Sequence, residues 1–191
     1  MTGSSTRCLP KISRAWLFAL LLFGTVATVC AEGIEVRAAA LSLGDEGYVL
    51  NADFDLSLSP AIEETLNRGV ALNFVLEFEL IRPRWYWFNE KLASVSQPYK
   101  LSYNALTRQY RLSLGTLFQN FASLADAVSF MSRPRNVMVA DRNALQKDTV
   151  YSAAVRLRLD VSQLPKPFQI SALGSREWNI GSDWFRWTVT P

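Results

Sequence analysis

The chain has 191 residues, two cysteines and no histidine, and its 20 basic and 17 acidic side chains give a formal charge of +3. The absence of histidine removes the commonest general base and the commonest metal ligand. The composition therefore excludes the reactions and metal sites that are built on histidine. We predict a protein that holds no metal and no cofactor.

The first residues have the three parts of a secretory signal peptide. Three basic and no acidic side chains come first, an apolar run follows at residues 15–23, and Ala31 supplies the small residue that precedes a cleavage point. We predict a signal peptide at residues 1–31, cleavage after Ala31 and a periplasmic mature protein. The alternative location is the inner membrane, with the uncleaved segment as an anchor.

Two other fates of this segment stay open. An uncleaved anchor would have to span the bilayer with residues 15–31, a stretch shorter than the roughly twenty apolar residues that a spanning helix needs. Lipidation would take place at Cys30, but the branched Val29 stands where lipoprotein signals have a small residue. If the segment stays uncleaved, the protein would contact the membrane only through this N-terminal segment.

Cleavage changes the charge of the protein. Both cysteines and three of the basic residues leave with residues 1–31, so residues 32–191 carry seventeen basic and seventeen acidic side chains and have no net charge. A nucleic-acid-binding domain shows a basic footprint, and this one has none overall. We predict one β-rich envelope domain at residues 32–191 and no nucleic-acid partner.

Apolar and polar residues alternate through most of this domain. Alternation with a period of two predicts antiparallel strands that have one apolar and one solvated face. Residues 34–43 and 48–58 form a predicted hairpin, joined by the glycine-containing turn at 44–47. Further strands are predicted at residues 73–81, 99–103, 108–114 and 153–161.

Two helices interrupt the strands. Ser59 and Pro60 can begin the first helix, and Gly69 can end it. Ser123 and Asp126 have the spacing of a capping box at the start of the second. We predict a mainly β domain with about seven or eight antiparallel strands and two short helices, preceded by the signal helix. We expect the strands to form two packed sheets, as in a two-layer β-sandwich.

Two clusters of aromatic and arginine side chains are the candidate binding residues. Aromatic rings offer a large contact area at low entropic cost, and guanidinium groups stack on them. The ligand would be an envelope protein, a peptide or a glycan. Burial of the rings in the core is the alternative. The clusters consist of Arg82, Arg84, Trp85, Tyr86 and Trp87, and of Trp184, Arg186 and Trp187.

Charged residues on two strands suggest a cross-strand ladder. Glu77 and Glu79 face out from one predicted strand, and Arg156 and Arg158 face out from another. If the strands are neighbours, each opposed pair adds about 0.2–1 kcal/mol. The chain has no glycine-rich phosphate loop and no nucleophile elbow. We therefore favour a non-catalytic binding module over an acidic-residue hydrolase or a lipid carrier with a cavity between its layers.

Four segments resemble a known bacterial family. The segments are residues 82–87, 101–112, 161–168 and 182–187, and the similarity extends over nearly all of residues 32–191. The chain resembles the proteobacterial domain of unknown function 4390 family. The resemblance implies an N-terminal signal or anchor and a Gram-negative envelope location. It implies no catalytic residue, because the family has no assigned activity.

Overall fold

The computed structural model of the chain describes residues 33–84, 86 and 90–191, and the side chains of all of these except Leu173 and Arg176. The predicted signal segment at residues 1–31, with its cleavage site at Ala31, lies outside the described residues. So do two predicted binding residues, Trp85 and Trp87. In the described part of the chain, no helix is long and apolar enough to cross a membrane.

Nine strands, three α-helices and two short 3-10 turns form the described domain. The strands are β1 (Gly33–Leu43), β2 (Gly47–Ser57), β3 (Leu72–Arg82), β4 (Glu90–Asn104), β5 (Gln109–Leu114), β6 (Leu117–Phe121), β7 (Val137–Asp141), β8 (Tyr151–Leu159) and β9 (Phe185–Val189). The helices are α1 (Pro60–Asn67), α2 (Leu124–Met131) and α3 (Lys166–Gly174), and the 3-10 turns are Val161–Gln163 and Arg176–Trp178.

The strands form two antiparallel sheets. The smaller has the order β1-β2-β7, and the larger has the order β6-β5-β4-β3-β8-β9. Strand β1 lies against β8 and β9, and β7 lies against β4, so the smaller sheet covers only part of the larger one. Helix α2 packs against β5 and β6, which the smaller sheet leaves uncovered. The predicted mainly β, two-layer antiparallel fold is confirmed.

Alternation along the strands produces the core between the sheets. On β3, Phe74, Leu76, Phe78 and Leu80 are each at most 2% exposed, while the residues between them face away from the core. Each such side chain contributes about 1.5–3 kcal/mol through burial. Residues from both sheets share this one core, among them Leu50, Phe54, Val139, Val155, Leu157 and Leu159.

The helix starts differ in how they are capped. At α2, the Ser123 hydroxyl accepts a hydrogen bond from the Asp126 N–H at 3.1 Å and donates to the Asp126 carboxylate at 2.6 Å. At α1, the Ser59 carbonyl accepts from two N–H groups, but its hydroxyl makes no capping bond and is buried without a partner. Both predicted helices are present, and only the second has the predicted side-chain cap.

Helix α3 was not predicted. It begins directly after Pro165 and has Pro167 in its first turn. Proline is tolerated there, because the first N–H groups of a helix have no partner within the helix. Two prolines within three residues otherwise indicate a loop or turn. The described domain therefore has one more helix than the two expected.

Candidate functional site

Part of the predicted charge ladder forms on the outer face of the larger sheet. Strands β3 and β8 are neighbours, with Glu77 opposite Arg156. The Glu77 carboxylate accepts hydrogen bonds from Arg156 and from Arg158, the latter at 2.9 Å from Nη2. Burial raises the pKa of Glu77, but the hydrogen bonds and the positive charges of the two arginines together outweigh it and leave the pKa below its ordinary value. Glu79 is bonded instead to Lys91, at 2.6 Å.

Trp184 lies at one end of this ladder. The guanidinium carbon of Arg156 is 4.4 Å from the centre of the Trp184 ring, so one guanidinium contacts both the indole and the Glu77 carboxylate. A shallow recess of about 240 Å³ lies beside the ring and is also lined by Glu35 and Asp183. Arg186, two residues further along, is exposed. We call Arg156, Trp184 and Arg186 the Trp184 surface.

Trp187 packs against the core instead and is partly buried. It lies on β9, opposite Ala153 of β8. The centre of its ring is 6.3 Å from that of Phe78 and 5.8 Å from that of Phe185. Successive residues of a strand face opposite sides, which separates Trp187 from its neighbour Arg186. The C-terminal cluster is therefore divided between the outer face and the core.

Two described members of the first cluster, Arg82 and Arg84, have partners within the fold. The Arg82 guanidinium lies 5.6 Å from the centre of the Tyr151 ring and donates to the Tyr151 hydroxyl at 3.3 Å and to Gln146. Arg84 pairs with Glu90 at 2.5 Å. Tyr86 is 68% exposed. Arg82 thus ties β3 to β8 and to the loop that contains Gln146.

A cleft between α1 and α2 has a volume of about 690 Å³. Ligand sites of proteins typically have about 300–1,000 Å³. Five consecutive residues of chain, 54–58, form its floor. Its walls are formed by Glu63 and Asn67 of α1, Leu124, Ala125, Val128 and Ser129 of α2, and Arg37, Tyr110, Ser132 and Arg133.

Polar groups of the cleft are partly paired. Arg37 binds Asp55, and the Tyr110 hydroxyl donates to Asn67 at 2.8 Å. Burial, with the nearby Tyr103 and Glu63 charges, raises the pKa of Tyr110. Within the described ranges, Glu63 and Arg133 form no ion pair, and both are exposed. The cleft thus combines the apolar side chains of Phe54, Leu56 and Leu58 in its floor with one acidic and one basic group left for a ligand.

Sequence reasoning did not find this cleft. Its residues come from six separate parts of the chain and have no common spacing. One local signal is the β-bulge of β1 between Val36 and Ala38, which places Arg37 against Asp55. Bulges cannot be recognised reliably in an alternating sequence, because an added residue only shifts the phase of the alternation. The site became visible only through the fold.

The described residues show no cluster of groups suited to metal binding or acid–base catalysis. Among the described residues, no three His, Cys, Asp or Glu side chains cluster closely enough to hold a metal ion. Asp55 and Glu63 line the cleft, but both are exposed, and Asp55 is paired with Arg37. A carboxyl that acts as a general acid is normally desolvated, as neither of these is.

Comparison with known proteins gives a family and no activity. The sequence model of a family described as a domain of unknown function (DUF4390) matches residues 31–188. No curated protein and no solved structure shows significant similarity to the chain. The match covers most of the chain and nearly all of the described domain. The protein therefore belongs to the DUF4390 family.

Proposed function

We propose that the protein is an exported envelope module that binds another envelope protein through the Trp184 surface, without catalysis. The observation that carries this proposal is the fixed position of Trp184, whose ring lies under Arg156 while Glu77 holds the same guanidinium. The few residues that dominate binding at protein interfaces are enriched in tryptophan and arginine, and side chains already held in place cost less to order on binding.

The alternatives have less support. The hydrolase would need two carboxyl groups in different environments, whereas Asp55 and Glu63 are both exposed. The lipid carrier would need an apolar cavity between the sheets, where Leu50, Phe74 and Phe78 are packed at most 1% exposed. A filled core favours recognition at the surface. A peptide or a glycan in the recess beside Trp184 is the remaining alternative ligand.

The export part of the proposal rests on residues 1–31 and has its own test. N-terminal sequencing of the protein purified from the envelope fraction should give a chain that begins at Glu32. A chain that begins at Met1 and stays with the inner membrane would replace the periplasmic location with the anchored one.

The binding part is tested by crosslinking in the cell. A photoreactive amino acid in place of the exposed Asp183, which lines the recess beside Trp184, should give a crosslinked protein of defined mass, identified by mass spectrometry. The Trp184→Ala variant should reduce that crosslink at least about tenfold, since an interface tryptophan is often worth 2 kcal/mol or more. If Trp184→Ala lowers the folded fraction, Arg186→Glu provides the same test at an exposed position.

Phe118→Ala is the matched control. Phe118 is 63% exposed and has the Arg111 guanidinium 4.8 Å from its ring centre, the same kind of pair on another part of the sheet. The crosslink should survive this change. Equal crosslinking in Trp184→Ala, Arg186→Glu and the control would overturn the proposal, whereas a crosslinked glycan or peptide would replace the partner class.

A further inference from the structure

Strand β2 loses its main-chain partner inside the cleft. On the side away from β1, the Ala52 N–H donates to the Pro134 carbonyl at 3.1 Å, and the Phe54 N–H donates to the Ser132 carbonyl at 2.8 Å. The Ser132 N–H bonds to Val128 as part of the end of α2. The chain that runs beside β2 therefore becomes helical at this point, although β2 continues to Ser57.

Leu56 is the next residue of β2 that faces this side. N–H and C=O groups alternate sides along an antiparallel strand, so those of Leu56 point the same way as those of Ala52 and Phe54. No segment in the described part of the chain hydrogen-bonds with them on this side. Residues 54–58 all line the cleft, so this unpaired edge lies open within it. Unpaired strand edges are templates for an added strand.

We propose that the cleft binds an extended peptide segment, which adds to β2 as a strand beside Leu56. Strand addition obtains its affinity from main-chain hydrogen bonds and its specificity from the pockets for alternate side chains. Apolar side chains that pack against the core surround the open edge, namely Leu58 and Leu124. This site is independent of the Trp184 surface, and the two linings share no residue.

The direction of the peptide follows from the chain that it extends. Residues 132–134 run antiparallel to β2, since Pro134 bonds to Ala52 and Ser132 to Phe54. An added strand in line with them has its C-terminal side at Arg133 and its N-terminal side near α1, where Glu63 is exposed. The ligand is therefore a short apolar segment with a basic residue on its N-terminal side and an acidic residue on its C-terminal side.

Fluorescence anisotropy with two labelled peptides tests this inference on the full-length protein. The peptide Lys-Val-Thr-Val-Glu, blocked at both ends, should bind about tenfold more tightly than the reversed Glu-Val-Thr-Val-Lys, because reversal places like charges at both ends of the cleft. The double change Glu63→Lys with Arg133→Glu should reverse this preference. Both positions are exposed, so folding of the variant is not at risk.

N-methylated peptides test the strand pairing without any change to the protein. Only alternate residues of an added strand direct their N–H groups toward β2. N-methylation of the second residue, a valine, should abolish binding, because an apolar side chain has to share the face of Leu56 and its N–H group then points toward β2. N-methylation of the central threonine should leave binding nearly unchanged. Equal effects at the two positions, or no binding of Lys-Val-Thr-Val-Glu at about 1 mM, would overturn the site. Neither result bears on the crosslink at the Trp184 surface.

Discussion

The guanidinium of Arg135 donates to the main-chain carbonyl of Ala52. In a regular strand pair, the N–H of the residue at position 134 would bond to this carbonyl, but Pro134 has none. The same side chain also pairs with Asp53. Arg135 thus completes the hydrogen bonding of β2 beside the cleft, where the sequence supplies a proline.

Arg135→Ala should lower the free energy of unfolding by about 1–2 kcal/mol, because it removes a charged hydrogen bond and an ion pair. Urea unfolding at neutral pH measures this loss. Arg133→Ala is the control, since Arg133 is exposed and should change stability by less than about 0.5 kcal/mol. Equal losses in the two variants would contradict the role of Arg135.

The two helix-start serines should respond in opposite ways to alanine. Ser123→Ala removes a side-chain cap and should cost about 1 kcal/mol. Ser59→Ala removes a buried hydroxyl that has no partner, so we expect no loss or a small gain in stability. Thermal unfolding of both variants measures the difference. A loss of more than about 1 kcal/mol in Ser59→Ala would show that its hydroxyl is bonded after all.

Glu77 should make the fold sensitive to acid. Its pKa in the folded chain lies below the ordinary 4.5, so its contribution to stability is fully present above about pH 4.5 and is lost as the pH falls through the lower folded value. Glu77→Gln should therefore be less stable at pH 7 and lose less stability on acidification. Urea unfolding between neutral and acid pH measures both effects.

Glu64→Gln is the control for this change. Glu64 pairs with Arg68 on the surface of α1, and both side chains are about two-thirds exposed. Such helix pairs contribute only about 0.3–0.5 kcal/mol. A pH dependence of Glu77→Gln that equals that of the wild-type protein would mean that the ladder does not hold the carboxylate charged.

Trp187 and Trp184 should separate stability from binding. Trp187→Ala removes a ring that packs on Phe78 and should cost about 3 kcal/mol or more. Trp184→Ala removes an outer-face ring held by one cation–π contact, so we expect a loss of about 1 kcal/mol. Chemical unfolding compares them. Similar large losses in both would place Trp184 in the core as well.

Alternation was sufficient to predict much of the sheet. Glu77 and Arg156 alternate with the buried Phe78 and Leu157 along their strands. This alternation alone indicated that both charged side chains lie on the outer face of the sheet. The charge ladder follows, because the two strands are neighbours. The strand pairing itself depended on contacts between residues that are about eighty positions apart, which a local pattern does not encode.

The first half of β4 was missed for a related reason. The predicted strand began at Tyr99, whereas β4 begins at Glu90. Ser94, Ser96 and Pro98 are poor strand formers. This half pairs only with β3, since β5 reaches no further than Tyr99. Pairing with the long strand β3 overrode the low strand propensity of these residues.

Arg82 shows why the candidate binding residues could be only partly predicted. An arginine at the end of an alternating strand is expected at the surface, and its side chain is only 24% exposed. Its partners Gln146 and Tyr151 lie more than sixty residues away in sequence. Arg82 was predicted as a binding residue, and in the fold its side chain links β3 to β8 and to the loop that contains Gln146.

The smaller sheet covers only part of the larger sheet, and this should affect local motion in the domain. One eight-residue helix, α2, covers β5 and β6, and a helix of that length is not stable by itself. We expect this corner to open locally more often than the β3–β8 centre, and hydrogen exchange would detect the difference. Because α2 is also a wall of the cleft, we expect such local opening to widen the cleft.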